Sequence, residues 1–291
     1  RELEAEELSS IILGGFPNHG LCWKILRALF GQTGRLREAL SANKKVVELM
    51  DKDADAHFNL GMTLLQLVRV EEAEASYRQA IALNPDFTEA YCELAFALEG
   101  QGKFGDAEEN YRKTITLQAN YPQAHYSLSS LLKGQGRLEE AELSIRNGIA
   151  FTPNNAAAHY NLGIIQKDLG RLEQAESNYR RAIFLNPDFP QAHNNLGNIL
   201  KQSGRLDEAE ANYKKAIDLS VDDLASHLNL ANVLLEKGKF DEAILSYKIV
   251  LQIGPDHVSA LYHFSALNGE RPLSAPRAYV ENLFDVFAFK F

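Results

Sequence analysis

Small and apolar residues keep helical spacing in two stretches that alternate along most of this chain. In residues 156–189 the first stretch repeats its core-side positions every three or four residues, as one face of a helix does. Those positions are His159, Leu162, Gly163 and Gln166. Gly170 ends this helix, because glycine adopts the left-handed conformation without steric cost. A second amphipathic stretch runs from Leu172 to Asn186, where Pro187 disfavours helix at the preceding residue, so the pattern predicts a pair of helices.

The helix pair recurs every 34 residues, and a fixed period of this length is typical of a stacked repeat array. Seven repeats follow one another without a gap: 20–53, 54–87, 88–121, 122–155, 156–189, 190–223 and 224–257. Each repeat contains an alanine in the same register: Ala39, Ala73, Ala107, Ala141, Ala175, Ala209 and Ala243. A glycine column is interrupted by Val68, and a tyrosine column by Asn43 and Ile145. We therefore expect an all-α array in which each repeat contacts only its neighbours.

The period also extends beyond both ends of the seven repeats. Residues 1–19 match the second helix of a truncated preceding repeat, since Ala5 and Pro17 fall in register with the alanine and proline columns. The chain starts with Arg1 rather than methionine, which favours a fragment or a processed product. Residues 258–268 match the first helix of a further repeat, which we expect to cap the last apolar face. Residues 269–291 predict a proline-containing turn and a phenylalanine-rich C-terminal helix that needs a partner.

Three motifs of the repeat resemble the tetratricopeptide repeat (TPR), and the resemblance covers about four fifths of the chain. They are Ala-x-x-x-Asn-Leu-Gly, Gly-Arg-Leu-x-x-Ala and Tyr-x-x-Ala-Ile-x-Leu-x-Pro. The resemblance implies a right-handed superhelical solenoid of antiparallel helix pairs. It also implies that the first helix of each pair lines a concave channel, which in this family binds peptides and proteins. Residues 279–285 are similar to the junction that leads into a methyltransferase domain in some bacterial TPR proteins.

Asparagine recurs on the side of the first helices that lies opposite the core stripe. The stripe consists of Asn161, Asn195 and Asn229, joined by Asn194, Asn198 and Asn232, with Asn59 at the equivalent place of the second repeat and Tyr126 and Tyr160 on the same side. Asparagine carries a hydrogen-bond donor and an acceptor, so such a ladder is able to pair with extended peptide backbone. It resembles the asparagine ladder of O-linked N-acetylglucosamine transferase TPR arrays, along which a substrate peptide lies. The alternative is that these asparagines belong to the common composition of this repeat.

Two other features of this side of the first helices bear on the ligand. A short positive track favours an acidic or carboxylate-rich partner, and it consists of Lys133, Lys167 and Lys201. The earlier repeats carry apolar residues there: Phe58, Met62, Leu65, Cys92 and Phe96. These indicate a hydrophobic ligand segment or an intramolecular helix lying in the channel. The two-carboxylate clamp of chaperone-binding TPR domains is disfavoured, because Ala28 stands where its first asparagine would be.

Composition and motifs argue against other classes of function. The net charge of −9 disfavours nucleic acid as the main ligand, because phosphate binding needs concentrated positive charge. No apolar run approaches the roughly 20 residues of a membrane helix, and no secretory signal is visible. No catalytic, nucleotide-binding or calcium-binding motif occurs, so we expect neither an enzyme nor a bound cofactor. Cys22 and Cys92 have no close-spaced partners, which favours reduced thiols and a cytoplasmic location.

Two periodic sets of polar residues have structural explanations. The histidines that recur with the repeat each occupy one core-side site on a different helix: His57, His125, His159, His193 and His227. Helices about 10 Å apart cannot bring these rings to one zinc ion with bonds of about 2 Å, so a shared metal site is not expected. Pairs such as Glu74 with Arg78 and Glu210 with Lys214 are four residues apart, and we expect solvated ion pairs there.

These patterns predict a protein-interaction scaffold that binds an extended peptide or partner segment in the concave channel. One alternative is the substrate-recruiting arm of a larger methyltransferase or glycosyltransferase whose catalytic domain lies outside these residues. Another is self-association through the ends of the array or the C-terminal helix. Within the array we expect two weak places, because Arg27 replaces a small residue between paired helices and Val68 replaces a glycine at a helix end.

Overall fold

The computed structural model describes residues 2–269, with side chains from residue 5 onward. These residues form sixteen α-helices and no strand, which confirms the predicted all-α repeat array. None of these helices is both long enough and apolar enough to cross a membrane. The C-terminal helix expected within residues 269–291 lies outside the described residues, which end at Gly269.

The helices alternate between first and second members of a pair. The first helices are α2 (Gly20–Gln32), α4 (Ala54–Gln66), α6 (Thr88–Gly100), α8 (Pro122–Gly134), α10 (Ala156–Asp168), α12 (Pro190–Gln202) and α14 (Leu224–Glu236). The second helices are α3 (Leu36–Leu49), α5 (Val70–Leu83), α7 (Phe104–Leu117), α9 (Leu138–Phe151), α11 (Leu172–Leu185), α13 (Leu206–Leu219) and α15 (Phe240–Ile253). Before and after them lie α1 (Glu2–Gly15) and α16 (Val258–Leu267).

Contacts divide the chain into two compact units. The N-terminal unit is Arg1–Thr152 and contains α1 to α9. The C-terminal unit is Pro153–Phe291, and its described helices are α10 to α16. Each unit is built from the same helix pair, so equivalent positions recur in both.

Capping hydrogen bonds set the ends of the helices. Asn155 begins α10, because its side-chain oxygen accepts the Ala158 N–H at 3.1 Å, as an N-cap residue does. At the other end Gly170 has a φ of +74°, which is a glycine conformation. The next residue closes the helix, since the Arg171 N–H donates to the Gln166 carbonyl at 2.8 Å.

Tyrosine rings fill the space between the two helices of a pair. The rings that are fully buried in this way belong to Tyr77, Tyr111, Tyr179, Tyr213 and Tyr247. A Cβ on Gly163 would lie 2.7 Å from the Tyr179 ring, so glycine lets that ring approach the backbone of α10. The seven alanines of the column are at most 1% exposed, and paired helices therefore pack closely.

The N-terminal unit contains the exceptions to this packing. Asn43 replaces the tyrosine of the first repeat, and Arg27 stands where other repeats have a small residue. The Arg27 Nε and the Asn43 Oδ1 are buried without a hydrogen-bond partner among the described residues. A buried atom of this kind costs about 1 to 3 kcal/mol, which supports the expectation of a weak first repeat. Val68 has a φ of +60° and is 81% exposed, so it holds the glycine conformation with most of its side chain in solvent.

Ion pairs between successive second helices join the repeats. The predicted i,i+4 ion pairs of Glu74, Glu142 and Glu210 form. These carboxylates are only 5 to 7% exposed, however, so the prediction that they are solvated was wrong. The pairs that cross from one repeat to the next, with N···O distances of 2.7 to 3.0 Å, are Arg35–Glu6, Lys103–Glu74, Arg137–Glu108, Arg205–Glu176 and Lys239–Glu210. Leu40 occupies the carboxylate position before Arg69, so this junction lacks the cross-repeat pair.

Candidate peptide-binding face

The first helices of the C-terminal unit carry most of the predicted site residues. We call the following set the asparagine face: Tyr160, Asn161, Lys167, Asn194, Asn195, Asn198, Lys201, Asn229 and Asn232. Hydrogen bonds join its helices, since the Asn195 Nδ2 donates to the Tyr160 hydroxyl at 3.1 Å. Likewise, the Asn229 Nδ2 donates to the Asn194 Oδ1 at 3.0 Å. The structure therefore brings residues of α10, α12 and α14 together.

Buried tyrosines of the second helices orient two further asparagines. The Tyr213 hydroxyl donates to the Asn198 Oδ1 at 2.8 Å. The Tyr247 hydroxyl donates to the Asn232 Oδ1 at 2.7 Å. Burial raises the pKa of the Tyr213 hydroxyl far above its usual value, so this group stays protonated and acts as the donor. This role of the tyrosines was not predicted from the sequence. A usable signal was present, because the repeats with Tyr213 and Tyr247 both have an asparagine as their ninth residue.

On each of four asparagines, an internal hydrogen bond uses one polar group of the side chain and leaves the other for a ligand. Asn195 and Asn229 donate through their NH2 groups, so their Oδ1 atoms are left as acceptors. Asn198 and Asn232 accept through their Oδ1 atoms, so their NH2 groups are left as donors. Helices α12 and α14 therefore each present an acceptor and, one turn later, a donor. The sequence suggested both groups on every asparagine, whereas the fold commits one of them to an internal bond.

Helix α10 presents a different surface from α12 and α14. Asn161 is exposed, and Ile164 stands where the other two helices carry the tyrosine-bound asparagine. The Tyr179 hydroxyl is buried and consequently has no hydrogen-bond partner among the described residues. The Tyr160 ring lies beside it, with ring centroids 5.9 Å apart. Helices α12 and α14 therefore each carry both the acceptor and the donor asparagine, whereas α10 carries Asn161 alone.

Each lysine of the asparagine face has a carboxylate nearby. The Lys167 Nζ lies 3.4 Å from the Asp168 Oδ1. The Lys201 Nζ lies 3.7 Å from the Glu236 Oε2. Pairs this exposed contribute about 0 to 1 kcal/mol and leave the lysines accessible. The positive charge is nevertheless partly neutralised, so an acidic partner is favoured less than the lysine stripe alone suggested.

Three of the predicted site residues lie in the N-terminal unit. The Asn59 Nδ2 donates to the Asp55 carbonyl of its own helix at 2.6 Å. The Tyr126 hydroxyl forms a hydrogen bond with the Thr152 Oγ1. Lys133 is half-buried and forms no ion pair among the described residues. Asn59 and Tyr126 therefore use polar groups in internal hydrogen bonds, whereas the Lys133 ammonium is available to a ligand.

The apolar first-helix residues of the N-terminal unit are more buried than predicted. Cys92 is 4% exposed, and burial raises the pKa of its thiol to about 12, which leaves it protonated and unreactive. The Phe58 ring packs against Phe87 with centroids 4.9 Å apart. Phe96 remains 57% exposed. The exposed apolar surface expected here is therefore concentrated at Phe96.

The histidine column connects each first helix to the loop before it. The His159 Nε2 lies 3.1 Å from the Pro153 carbonyl. The His227 Nε2 lies 2.9 Å from the Val221 carbonyl. This agrees with the predicted packing role of the column. Within residues 5–269 no group of three or more histidine, cysteine, aspartate or glutamate side chains is placed to hold a metal ion.

Several solved structures share this fold. YrrB, described as a TPR protein with an unusual peptide-binding site, is 22% identical, with a TM-score of 0.57 over 64% of this chain and 96% of its own. PilF of Pseudomonas aeruginosa is 20% identical, with a TM-score of 0.63 over 76% of this chain and 99% of its own. The C-terminal part of a TPR repeat-containing protein from Cytophaga hutchinsonii is 14% identical, with a TM-score of 0.69 over 81% of this chain and 97% of its own. At these identities the likeness shows the fold alone.

Family models identify the repeat directly. Three models, each described as a tetratricopeptide repeat, match the chain. One matches residues 160–223 and 194–258, and the others match residues 54–87 and 76–109. Together these matches span more than half of the chain, although comparison with curated proteins finds no significant match. The chain therefore belongs to the tetratricopeptide repeat family.

Proposed function

We propose that this chain is a protein-interaction scaffold whose asparagine face binds the backbone of an extended peptide. The main support is that two successive first helices each present one hydrogen-bond acceptor and one donor. On α12 the pair is Asn195 and Asn198, and on α14 it is Asn229 and Asn232. A peptide offers an N–H and a carbonyl at each residue, so this arrangement suits main-chain recognition irrespective of side chain.

The spacing of the repeat supports an extended ligand. Packed helices lie about 8 to 10 Å apart, and an extended chain advances about 3.3 Å per residue. One repeat therefore corresponds to about two to three ligand residues. Because residues two apart on an extended chain face the same side, such residues present equivalent backbone groups to α12 and α14. YrrB, which has a similar fold, is described as having a peptide-binding site, and this supports such a use of the fold. The likeness to the ladder of O-linked N-acetylglucosamine transferases stays a prediction.

The double variant Asn195→Ala, Asn229→Ala tests this proposal. Peptides that bind the wild-type chain are selected on a peptide array, and their affinities for both proteins are measured by fluorescence anisotropy. Loss of two hydrogen bonds should weaken binding by about tenfold. Replacing the contacting ligand amides by esters should weaken binding to the wild type in the same way.

A matched control changes two exposed residues on the second helices of the same unit, Ser177→Ala and Lys215→Ala. This control should bind the selected peptides as the wild type does. Equal affinity of the asparagine variant and the wild type for every selected peptide would refute backbone recognition by this face, while leaving the fold intact.

A further inference from the structure

A small cavity opens in the N-terminal unit between α6, α7 and α8. Its volume is about 130 Å³, and it is lined by Glu99, Phe104, Ser130, Leu131, Gly134 and Gln135. Ser130 and Gly134 leave this space because their side chains are short, whereas α12 carries Asn198 and Gln202 at the same positions. Small-molecule pockets are usually about 300 to 1,000 Å³, so this cavity is suited to a single side chain.

Glu99 places an unpaired carboxylate at the cavity. Its Oε2 accepts the Tyr111 hydroxyl at 2.9 Å, and its Oε1 has no partner among the described residues. Lys133, at the equivalent position of α8, forms no ion pair with Glu99. By contrast, the carboxylate of Glu74 on α5 pairs with two basic side chains. The charge of Glu99 is therefore available to a cation from another molecule.

Aromatic surface accompanies this carboxylate. Phe104 lines the cavity and is 48% exposed. Phe96 lies one turn before Glu99 on α6 and is the exposed apolar residue of that helix. Lysine and arginine cover apolar surface with their stems while their charged heads stay at a polar rim, and their cations are attracted to aromatic rings.

The chain uses the same combination internally. The Arg35 guanidinium lies 4.4 Å from the centre of the Phe30 ring. The same guanidinium donates hydrogen bonds to the carboxylates of Glu6 and Glu38. A cation held by a carboxylate beside a phenylalanine is thus compatible with this fold, and the cavity at Glu99 has the carboxylate and the phenylalanine without the cation.

We propose that the cavity at Glu99 binds one lysine or arginine side chain of a partner protein. The stem of that side chain lies against Phe104 and the wall at Gly134, and the cationic head pairs with the Glu99 Oε1. A bound cation would stabilise the charged form of the Glu99 carboxyl. The site lies in the other unit from the asparagine face and does not depend on it.

Three labelled peptides measure the expected preference. They share one leucine-containing neutral sequence and carry lysine, glutamine or glutamate at the central position. By fluorescence anisotropy, the full chain should bind the lysine peptide about three- to tenfold more tightly than the glutamine peptide. The glutamate peptide should bind most weakly, and added salt should reduce the preference.

Two variants locate the preference. Glu99→Gln keeps an acceptor for the Tyr111 hydroxyl but removes the charge, so lysine and glutamine peptides should bind equally. Gly134→Leu fills the cavity and should also abolish the preference. It should fold normally, because a Cβ on Gly134 meets no atom within 4 Å. Gly100→Leu is the matched control, since Gly100 ends α6 as Gly134 ends α8 and is equally open.

The preference for lysine should survive in Gly100→Leu and in the Asn195→Ala, Asn229→Ala variant. The proposal is overturned if the wild type binds the lysine and glutamine peptides alike or binds neither. It is also overturned if the preference persists in Glu99→Gln or Gly134→Leu. Failure of the asparagine variant to lose peptide binding would count against the proposed function of the other unit and not against this pocket.

Discussion

The two units share one repeat but present different groups on their first helices. In the C-terminal unit the buried hydroxyls of Tyr213 and Tyr247 each hold an asparagine. In the N-terminal unit the equivalent hydroxyl of Tyr111 holds the Glu99 carboxylate, and that of Tyr77 has no hydrogen-bond partner among the described residues. Where the column tyrosine is present it is buried, while the first-helix group that its hydroxyl meets varies. One packing arrangement therefore presents asparagine amides in one unit and a carboxylate in the other.

The units also differ in regularity. Each repeat of the C-terminal unit keeps its tyrosine, its helix-ending glycine and its core histidine. In the N-terminal unit Asn43 and Ile145 interrupt the tyrosine column, Val68 replaces a glycine, and Leu40 removes a cross-repeat ion pair. Since each repeat is stabilised mainly by its own pair and its neighbours, these exceptions should lower stability locally.

Glu210→Gln should have the largest effect, because it removes the charge of a buried carboxylate that pairs with the next repeat. At the equivalent position of the N-terminal unit, Leu40 already replaces this carboxylate. Burial by itself raises the pKa of the Glu210 carboxyl, but hydrogen bonds from three lysines outweigh burial and lower the pKa from 4.5 to about 2. These lysines are Lys214, Lys237 and Lys239. A depressed pKa contributes stability above about pH 4.5, and that contribution is lost as the pH falls toward 2.

We therefore expect Glu210→Gln to lower the free energy of unfolding at neutral pH by about 2 kcal/mol, measured by urea denaturation. Its stability should also fall less than that of the wild type between pH 4.5 and 2. Glu242→Gln is the control, since that side chain is 50% exposed, and its effect should stay below about 0.5 kcal/mol. Equal effects of the two substitutions would contradict the structural role of the buried carboxylate.

Exchanging the helix-ending residues of the two units should give effects of opposite sign. Val68→Gly relieves a β-branched residue from a φ of +60° and should raise the free energy of unfolding by about 1 kcal/mol. Gly204→Val imposes the same residue on a φ of +73° and should lower it by about 1 to 2 kcal/mol. Thermal melts of both variants check this. A Val68→Gly variant that melts at or below the wild-type temperature would show that the turn gains nothing from glycine.

Removing tyrosine hydroxyls should change the free energy of unfolding least. The change should distinguish hydroxyls that form a hydrogen bond from those that form none. Tyr213→Phe leaves the Asn198 Oδ1 without its donor and should cost about 0.5 to 1 kcal/mol. Tyr179→Phe and Tyr77→Phe remove hydroxyls that lack partners and should be neutral or slightly stabilising. Urea denaturation of the three variants provides the test. Equal losses in all three would mean that the bond to Asn198 contributes nothing.

The fold could be predicted because its signals are local. Alanine, glycine and tyrosine columns mark buried helix faces and left-handed turns, and these depend on residues three or four apart. For the same reason the strained conformation of Val68 was visible in the sequence. The burial of Glu210 was missed, because an i,i+4 pair also fits a solvated surface and its decisive partners, Lys237 and Lys239, come from the next repeat.

For this protein the sequence by itself determined the helical class, the 34-residue period and the side of each first helix on which the candidate residues lie. The tertiary structure alone decided which group each asparagine has left, and that a cavity opens beside Glu99. The bond from Asn195 to Tyr160 joins residues 35 positions apart. Its existence depends on how side chains of two stacked helices are directed toward each other, and helical spacing within one repeat does not specify that direction.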